Sequence, residues 1–111
     1  VAGTRWGTTQ EAALLDVLEQ SATGRVLEVD PDTGRVRVVA SGFSLANGIA
    51  LSHDERSLLV AESGRYRVWR IDIGADRLDI RAMPPGARIL LDNLPGFPDN
   101  LTRGAAGRIW A

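Results

Sequence analysis

The hydrophobic and polar positions change period along the chain, and each change predicts an element. Val1–Gly7 is glycine-rich and irregular. From about Thr9 to Gln20 the spacing is helical. Leu14, Leu15 and Leu18 share one face, while Glu11, Asp16, Glu19 and Gln20 lie mainly on the other. Thr8-Thr9-Gln10-Glu11 reads as a capping box, in which Thr8 accepts from a free backbone N–H and Glu11 reaches back. Gly24 stands in the usual stop position after Ser21-Ala22-Thr23. The pattern predicts a surface helix covering a sheet edge or, alternatively, forming a lid over a pocket.

From Arg25 the period falls to two. Val26, Leu27 and Val29 form one run, and Val36, Val38 and Val39 the next. Asp30-Pro31-Asp32-Thr33-Gly34 between them predicts a hairpin turn. Pro31 presets φ, the aspartates bond nearby amides, and Gly34 takes a positive φ. Ile49-Ala50-Leu51 is a short apolar strand expected to be buried on both faces, followed by a polar turn, His53–Arg56, and a strand, Leu58–Ala61. Tyr66–Ile73 alternates but slips at Val68-Trp69, which predicts a bulge or a strand contacted on both faces. Residues 74–86 form a loop whose Pro84-Pro85-Gly86 no sheet interior tolerates. Ala87–Leu91 is the next strand, and Asn100-Leu101-Thr102 with Arg108-Ile109-Trp110 starts another pair.

These units repeat. Val26-Leu27-Glu28-Val29-Asp30 matches Val68-Trp69-Arg70-Ile71-Asp72, and Asn47-Gly48-Ile49-Ala50-Leu51 matches Asp99-Asn100-Leu101-Thr102. The period, roughly 42 to 53 residues, is that of a four-stranded propeller blade. The expectation is an all-β chain, a β-propeller fragment with one N-terminal helical insertion. Residues 1–24 are loop and helix, 25–43 the end of one blade, 44–93 a whole blade, and 94–111 the start of the next.

Composition narrows the function classes. Of 111 residues, 44% are hydrophobic and 24% charged, which is globular composition. With 13 Lys+Arg against 14 Asp+Glu there is no basic field for nucleic acid. No apolar run in these residues approaches a membrane span and none has a leader pattern, while a leader or anchor upstream is left open. Cys is absent, so thiolate metal sites are excluded. The chain starts at Val1 and stops within a strand-like run, so both ends read as cut. Two blades leave open faces, which self-assembly of copies would cover.

Several stretches resemble one family: Thr23-Gly24-Arg25-Val26-Leu27, Asp30-Pro31, Asn47-Gly48, Leu59-Val60-Ala61-Glu62, Arg65-Tyr66-Arg67-Val68 and Gly96-Phe97-Pro98-Asp99-Asn100. In order and spacing they resemble the strictosidine-synthase-like and adipocyte plasma membrane-associated branch of the six-bladed propellers, related to gluconolactonase and paraoxonase. The resemblance implies six blades in a full protein. In metal-dependent relatives it also implies a Ca²⁺ ion in the central channel, held by oxygen ligands at the starts of innermost strands. Asn47 and Asp99 match ligand positions there, and Asn100 is a third candidate. Plant strictosidine synthases typically carry Pro-Gly-Asn where this chain has Pro98-Asp99-Asn100, so Asp99 keeps a ligand that they lack. The implied activity is calcium-dependent hydrolysis of lactones or related esters, small-molecule substrates. The ion would act as Lewis acid and Asp99 would be a candidate catalytic base or nucleophile. Further ligands would lie outside this chain, so the 111 residues alone are expected to be inactive. The alternatives are a metal-free enzyme condensing an amine with an aldehyde, and a non-catalytic binding propeller.

Each candidate has a plainer reading. Asn47-Gly48 between apolar stretches is a strong hairpin-turn signal. Asp99-Asn100 after Pro98 is compatible with an Asx-turn. His53, the only His, reads as an exposed turn residue. Glu62 with Arg65 or Arg67 reads as an exposed strand pair of little energetic weight. Trp69 and Trp110 read as blade packing.

Overall fold

The computed structural model describes residues 7–19 and 21–111. Residues 1–6 of the irregular start, and Gln20 at the expected helix end, lie outside the described residues. Helix α1 spans Thr9–Glu19. Nine strands follow among the described residues: β1 Gly24–Val29, β2 Val36–Phe43, β3 Ala46–Leu51, β4 Ser57–Glu62, β5 Arg67–Asp72, β6 Leu78–Asp79, β7 Ala87–Leu91, β8 Thr102–Arg103 and β9 Ile109–Trp110.

The strands form three successive sheets. The central one is four-stranded and antiparallel, in the order β3-β4-β5-β7. Before it comes β1-β2 and after it β8-β9, each an antiparallel pair. One apolar cluster lies between the first sheet and the central one. It joins Val26, Val39, Ala40 and Phe43 to Ala46, Val60, Trp69 and Ile71. A second cluster covers the other face of the central sheet and joins Ala50, Leu59, Ala61 and Val68 to Leu101. Sheets packed in series, face to face, are the repeating unit of a propeller, so the chain is an all-β propeller piece: half a blade, a whole blade and half a blade.

Local chemistry accounts for the turns. Asp30 Oδ1 accepts from the backbone N–H groups of Asp32 and Thr33, and Gly34 has φ +71°. In the β3–β4 turn, Asp54 Oδ1 accepts from Ser52 Oγ at 2.6 Å and from the Arg56 N–H at 3.1 Å. His53 is exposed in that turn, with Nε2 2.9 Å from the Arg108 carbonyl oxygen of the next sheet.

Val68 and Trp69 are buried on opposite faces, Val68 in the second cluster and Trp69 in the first. The register also shifts beside them: Val68 pairs with Leu91 but Trp69 with Ile89. The extra residue, Leu90, is therefore in β7 and not in β5, so contact on both faces, not a bulge, accounts for the adjoining apolar pair. The 74–86 loop contains something its composition did not announce. Its β6 pairs in parallel with β2 and covers the outer edge of the first sheet.

Three expectations are corrected. The helix does not stop at Gly24, which opens β1; Ala22 takes the left-handed conformation instead, at φ 53°. β3 is not buried on both faces, since Ile49 is 49% exposed. Ile49 pairs with Val60 across the ladder, yet only Val60 of the two belongs to the buried cluster shared with the first sheet. Trp110 is exposed rather than packed, whereas Trp69 is in the core.

The helix also turns the other way. Its buried residues are Ala12 and Asp16, while Leu14, Leu15 and Leu18 are exposed. Asp16 is 4% exposed because it finds donors from three directions. Its carboxylate accepts from Ser21 Oγ, from Thr23 N and Oγ1, and from Ser44 Oγ and Leu45 N, at 2.8–3.4 Å. These hydrogen bonds satisfy the buried carboxylate and tie the helix to the crossover at Ser44 and Leu45. The capping box forms as the sequence implies: Glu11 Oε2 accepts from Thr8 N at 2.8 Å, and Thr8 Oγ1 accepts from Glu11 N at 3.3 Å.

Burial pushes the Asp16 carboxyl up, but hydrogen bonds from Ser21, Thr23 and Leu45 outweigh it and hold the pKa below its ordinary 3.8. A carboxylate depressed in the folded state adds stability that is complete above the unfolded pKa and is lost as pH falls through the folded one. Urea denaturation of wild type and Asp16→Asn should therefore differ by a constant amount above about pH 5, with the gap closing once pH drops below the ordinary carboxylate range. A gap that widens in acid would reverse this assignment.

Candidate functional site

The end of β4 and the entry of β3 meet the segment that leads into β8. Asn47 is the second residue of β3. Neither Asn47 nor Gly48 has a positive φ, so the pair is not a hairpin turn. Asp99 and Asn100 precede β8 in irregular backbone, and all three side chains belong to exposed residues. Strand β8 begins at Thr102, two residues later than the pattern suggested.

Four contacts clasp these segments together. The Gly48 N–H donates to the Asp99 carbonyl at 2.6 Å. Ser63 Oγ donates to the Pro98 carbonyl. The Leu94 N–H donates to the Tyr66 carbonyl at 3.1 Å. The Tyr66 and Phe97 rings stack with centroids 4.7 Å apart. Asn47 joins the clasp through Nδ2, which donates to Ser63 Oγ at 3.3 Å. The structure thus brings Asn47 beside the segment that carries Asp99 and Asn100, across two successive sheets.

Beneath the clasp lies a buried polar network. Glu62 is the last residue of β4 and is fully buried. Its Oε1 accepts from the Ser44 N–H at 2.8 Å and from Arg65 Nη1 at 3.0 Å, and its Oε2 accepts from Trp69 Nε1 at 2.7 Å. This corrects the exposed-pair reading. Arg67 lies directly across the ladder from Glu62 yet pairs with Asp92 at 3.0 Å. Ser44 is bracketed by two carboxylates, Glu62 at its N–H and Asp16 at its hydroxyl. Helix, crossover and β4 are thereby fixed to one another just before the chain presents Asn47.

Glu62 and Ser63 were the residues that pattern reading missed. One partial signal was available: Leu58–Ala61 is unbroken by polar residues, which marks β4 as covered on both faces but does not place the partners of a Glu at its end.

The donor set is one of hard oxygens, which suit hard divalent cations as a class. Asn47, Asp99 and Asn100 supply two amide oxygens and one carboxylate, hard donors of the type Ca²⁺ takes and unlike the nitrogen and sulfur ligands of zinc. Among the described residues no three His, Cys, Asp or Glu side chains gather as a metal cluster. The fit is one of donor type, and three residues supply fewer than the six to eight oxygens that Ca²⁺ prefers. A shallow depression lined by Arg56, Asp72, Gly74 and Pro85 lies at the opposite end of the central sheet and shares no residue with this clasp.

A propeller with polar groups presented at the entries of successive blades defines the class of protein. Comparison then names the family. The strictosidine synthase family pattern matches residues 4–75, and the chain belongs to that family. The chain is 40% identical over 94 residues to adipocyte plasma membrane-associated protein of Salmo salar, covering 85% of this chain and 21% of that protein. With the Homo sapiens protein of the same name the identity is 36% over 97 residues, covering 87% and 22%. Protein strictosidine synthase-like 10 of Arabidopsis thaliana is 32% identical over 97 residues, covering 87% and 24%. The chain therefore spans between about a fifth and a quarter of these relatives' length. No helix among the described residues is long and apolar enough to cross a membrane.

Proposed function

We propose that the native protein is a calcium-dependent hydrolase of lactones or related esters, and that Asn47, Asp99 and Asn100 contribute part of its ion site. The observation that carries this reading is the 2.6 Å hydrogen bond from Gly48 N to the Asp99 carbonyl, which sets two oxygen-bearing segments from successive blades side by side. When bound, the ion supplies Lewis-acid polarisation of a substrate carbonyl. The chain's own part is to hold ligands. The Asn47 side chain is held by Ser63, and the Asp99 backbone by Gly48, so the two segments need not be brought together when the ion arrives. Asp99 also carries the one carboxylate of the set and is the candidate base or nucleophile. Six blades are the expected number for the full protein.

Calcium titration by calorimetry on the native-length protein, with Asp99→Ala alongside, is the test. Wild type should bind, and Asp99→Ala should weaken binding by about tenfold or more. Chelation should abolish hydrolysis of a lactone and ester panel. Asp99→Asn keeps an oxygen ligand without the basicity, so it should retain more binding than activity. Absence of calcium binding in wild type would overturn the reading, and the condensing-enzyme or binding-propeller alternatives would replace it.

A further inference from the structure

Ser63 is 2% exposed and its hydroxyl stands between the two ligand-bearing segments. It has one proton and two lone pairs. Its proton goes to the Pro98 carbonyl, a group that can only accept. What faces the same hydroxyl from Asn47 must therefore be a donor, and the Asn47 nitrogen is the atom found there, at 3.3 Å. Amide orientation is usually ambiguous, because oxygen and nitrogen have similar size. Here the chemistry of a single hydroxyl removes the ambiguity. With Nδ2 committed to Ser63, Oδ1 is left unclaimed by it.

We propose that Ser63 is a positioning residue that locks the Asn47 amide with its oxygen available as a cation ligand. The same hydroxyl ties Asn47 to the Pro98-Asp99 segment, so two ligands on different blades share one anchor. This inference rests on the calcium reading above. It adds to that reading the residue that orients a ligand without touching the ion. Outer partners of this kind commonly set metal affinity by 10- to 100-fold.

The test measures calcium affinity by calorimetry on the native-length protein in two backgrounds. Ser63→Ala should weaken binding by about tenfold when residue 47 is Asn, because the amide is then free to turn its nitrogen to the ion. In an Asn47→Asp background the same change should not weaken binding, since a carboxylate presents oxygen whichever way it faces and gains no hydrogen bond from a hydroxyl whose proton is on Pro98. Ser63→Thr, which keeps the hydroxyl, should restore wild-type affinity. Ser63→Cys, with similar bulk but a weak donor and acceptor, should show the same dependence on background and serves if Ser63→Ala does not fold. Equal weakening in both backgrounds would make Ser63 a simple tether and overturn the proposal, as would no weakening in either. Failure of wild type to bind calcium at all would instead remove the calcium reading, and this proposal with it.

Discussion

Glu62→Ala should lower the stability of the native-length protein by about 3–5 kcal/mol, the scale for removing one partner of a buried ion pair. The carboxylate is fully buried and answers three donors: a backbone N–H from Ser44, a guanidinium N–H from Arg65 and the indole N–H of Trp69. Alanine leaves the Ser44 and Trp69 N–H groups without their acceptor in a dry interior, and it takes from the part-exposed Arg65 its buried counter-charge. Equilibrium denaturation should show a lower midpoint at an unchanged m-value.

Glu62→Gln refines the argument. Its one carbonyl oxygen can keep Ser44 and Arg65, both of which use Oε1. The amide nitrogen then faces Trp69 Nε1, donor against donor. Trp69→Phe removes that indole N–H. It should cost less in the Glu62→Gln background than in wild type, and a double-mutant cycle reads the difference directly. Additive losses would mean that the indole and the carboxylate do not couple. A loss below about 1 kcal/mol for Glu62→Ala would place this pair with ordinary surface ion pairs.

The position of Glu62 also shows what pattern reading can and cannot reach. Period and turn chemistry are local, and they located the strands. Asp30 and Gly34 make the turn that their types require, and Val68-Trp69 breaks alternation because each side chain meets a different neighbouring sheet. Burial of a polar side chain depends instead on partners far along the chain. Asp16 is buried because Leu45, 29 positions on, supplies an N–H. Glu62 is buried because Ser44, 18 positions back, does the same. Counting apolar positions put the leucines of α1 inward and Asp16 outward, since periodicity carries no information about waiting donors. The adjacency of Asn47 and Asp99 was legible only through the repeat, which aligned two blade entries. Nothing local showed that Ser63 stands between them.

Gly48→Ala should be the other costly change, by about 3 kcal/mol at the upper end of ordinary overpacking. A Cβ at Gly48 would collide with the Asp99 carbonyl oxygen. It would also stand 2.6 Å from the Leu101 nitrogen and 2.8 Å from the Asn100 carbonyl carbon. All three atoms are backbone, so no side chain can swing aside to relieve the contact. Either β3 moves away from the segment entering β8, or the Gly48–Asp99 hydrogen bond breaks. Both responses separate Asn47 from Asp99. Gly48→Ala should therefore weaken calcium binding as well as stability, although residue 48 offers no side-chain ligand. Gly74→Ala is the control, because a Cβ there meets nothing within 4 Å. It should leave calcium affinity unchanged and alter the denaturation midpoint far less. If Gly48→Ala lowered stability but bound calcium as wild type does, the ion site would not depend on the close approach of these two blades, and Asn47 and Asp99 would not share a ligand set. Full stability in Gly48→Ala would show that the two segments part at little cost, and the clasp would then rest on Ser63 and the Tyr66–Phe97 stack.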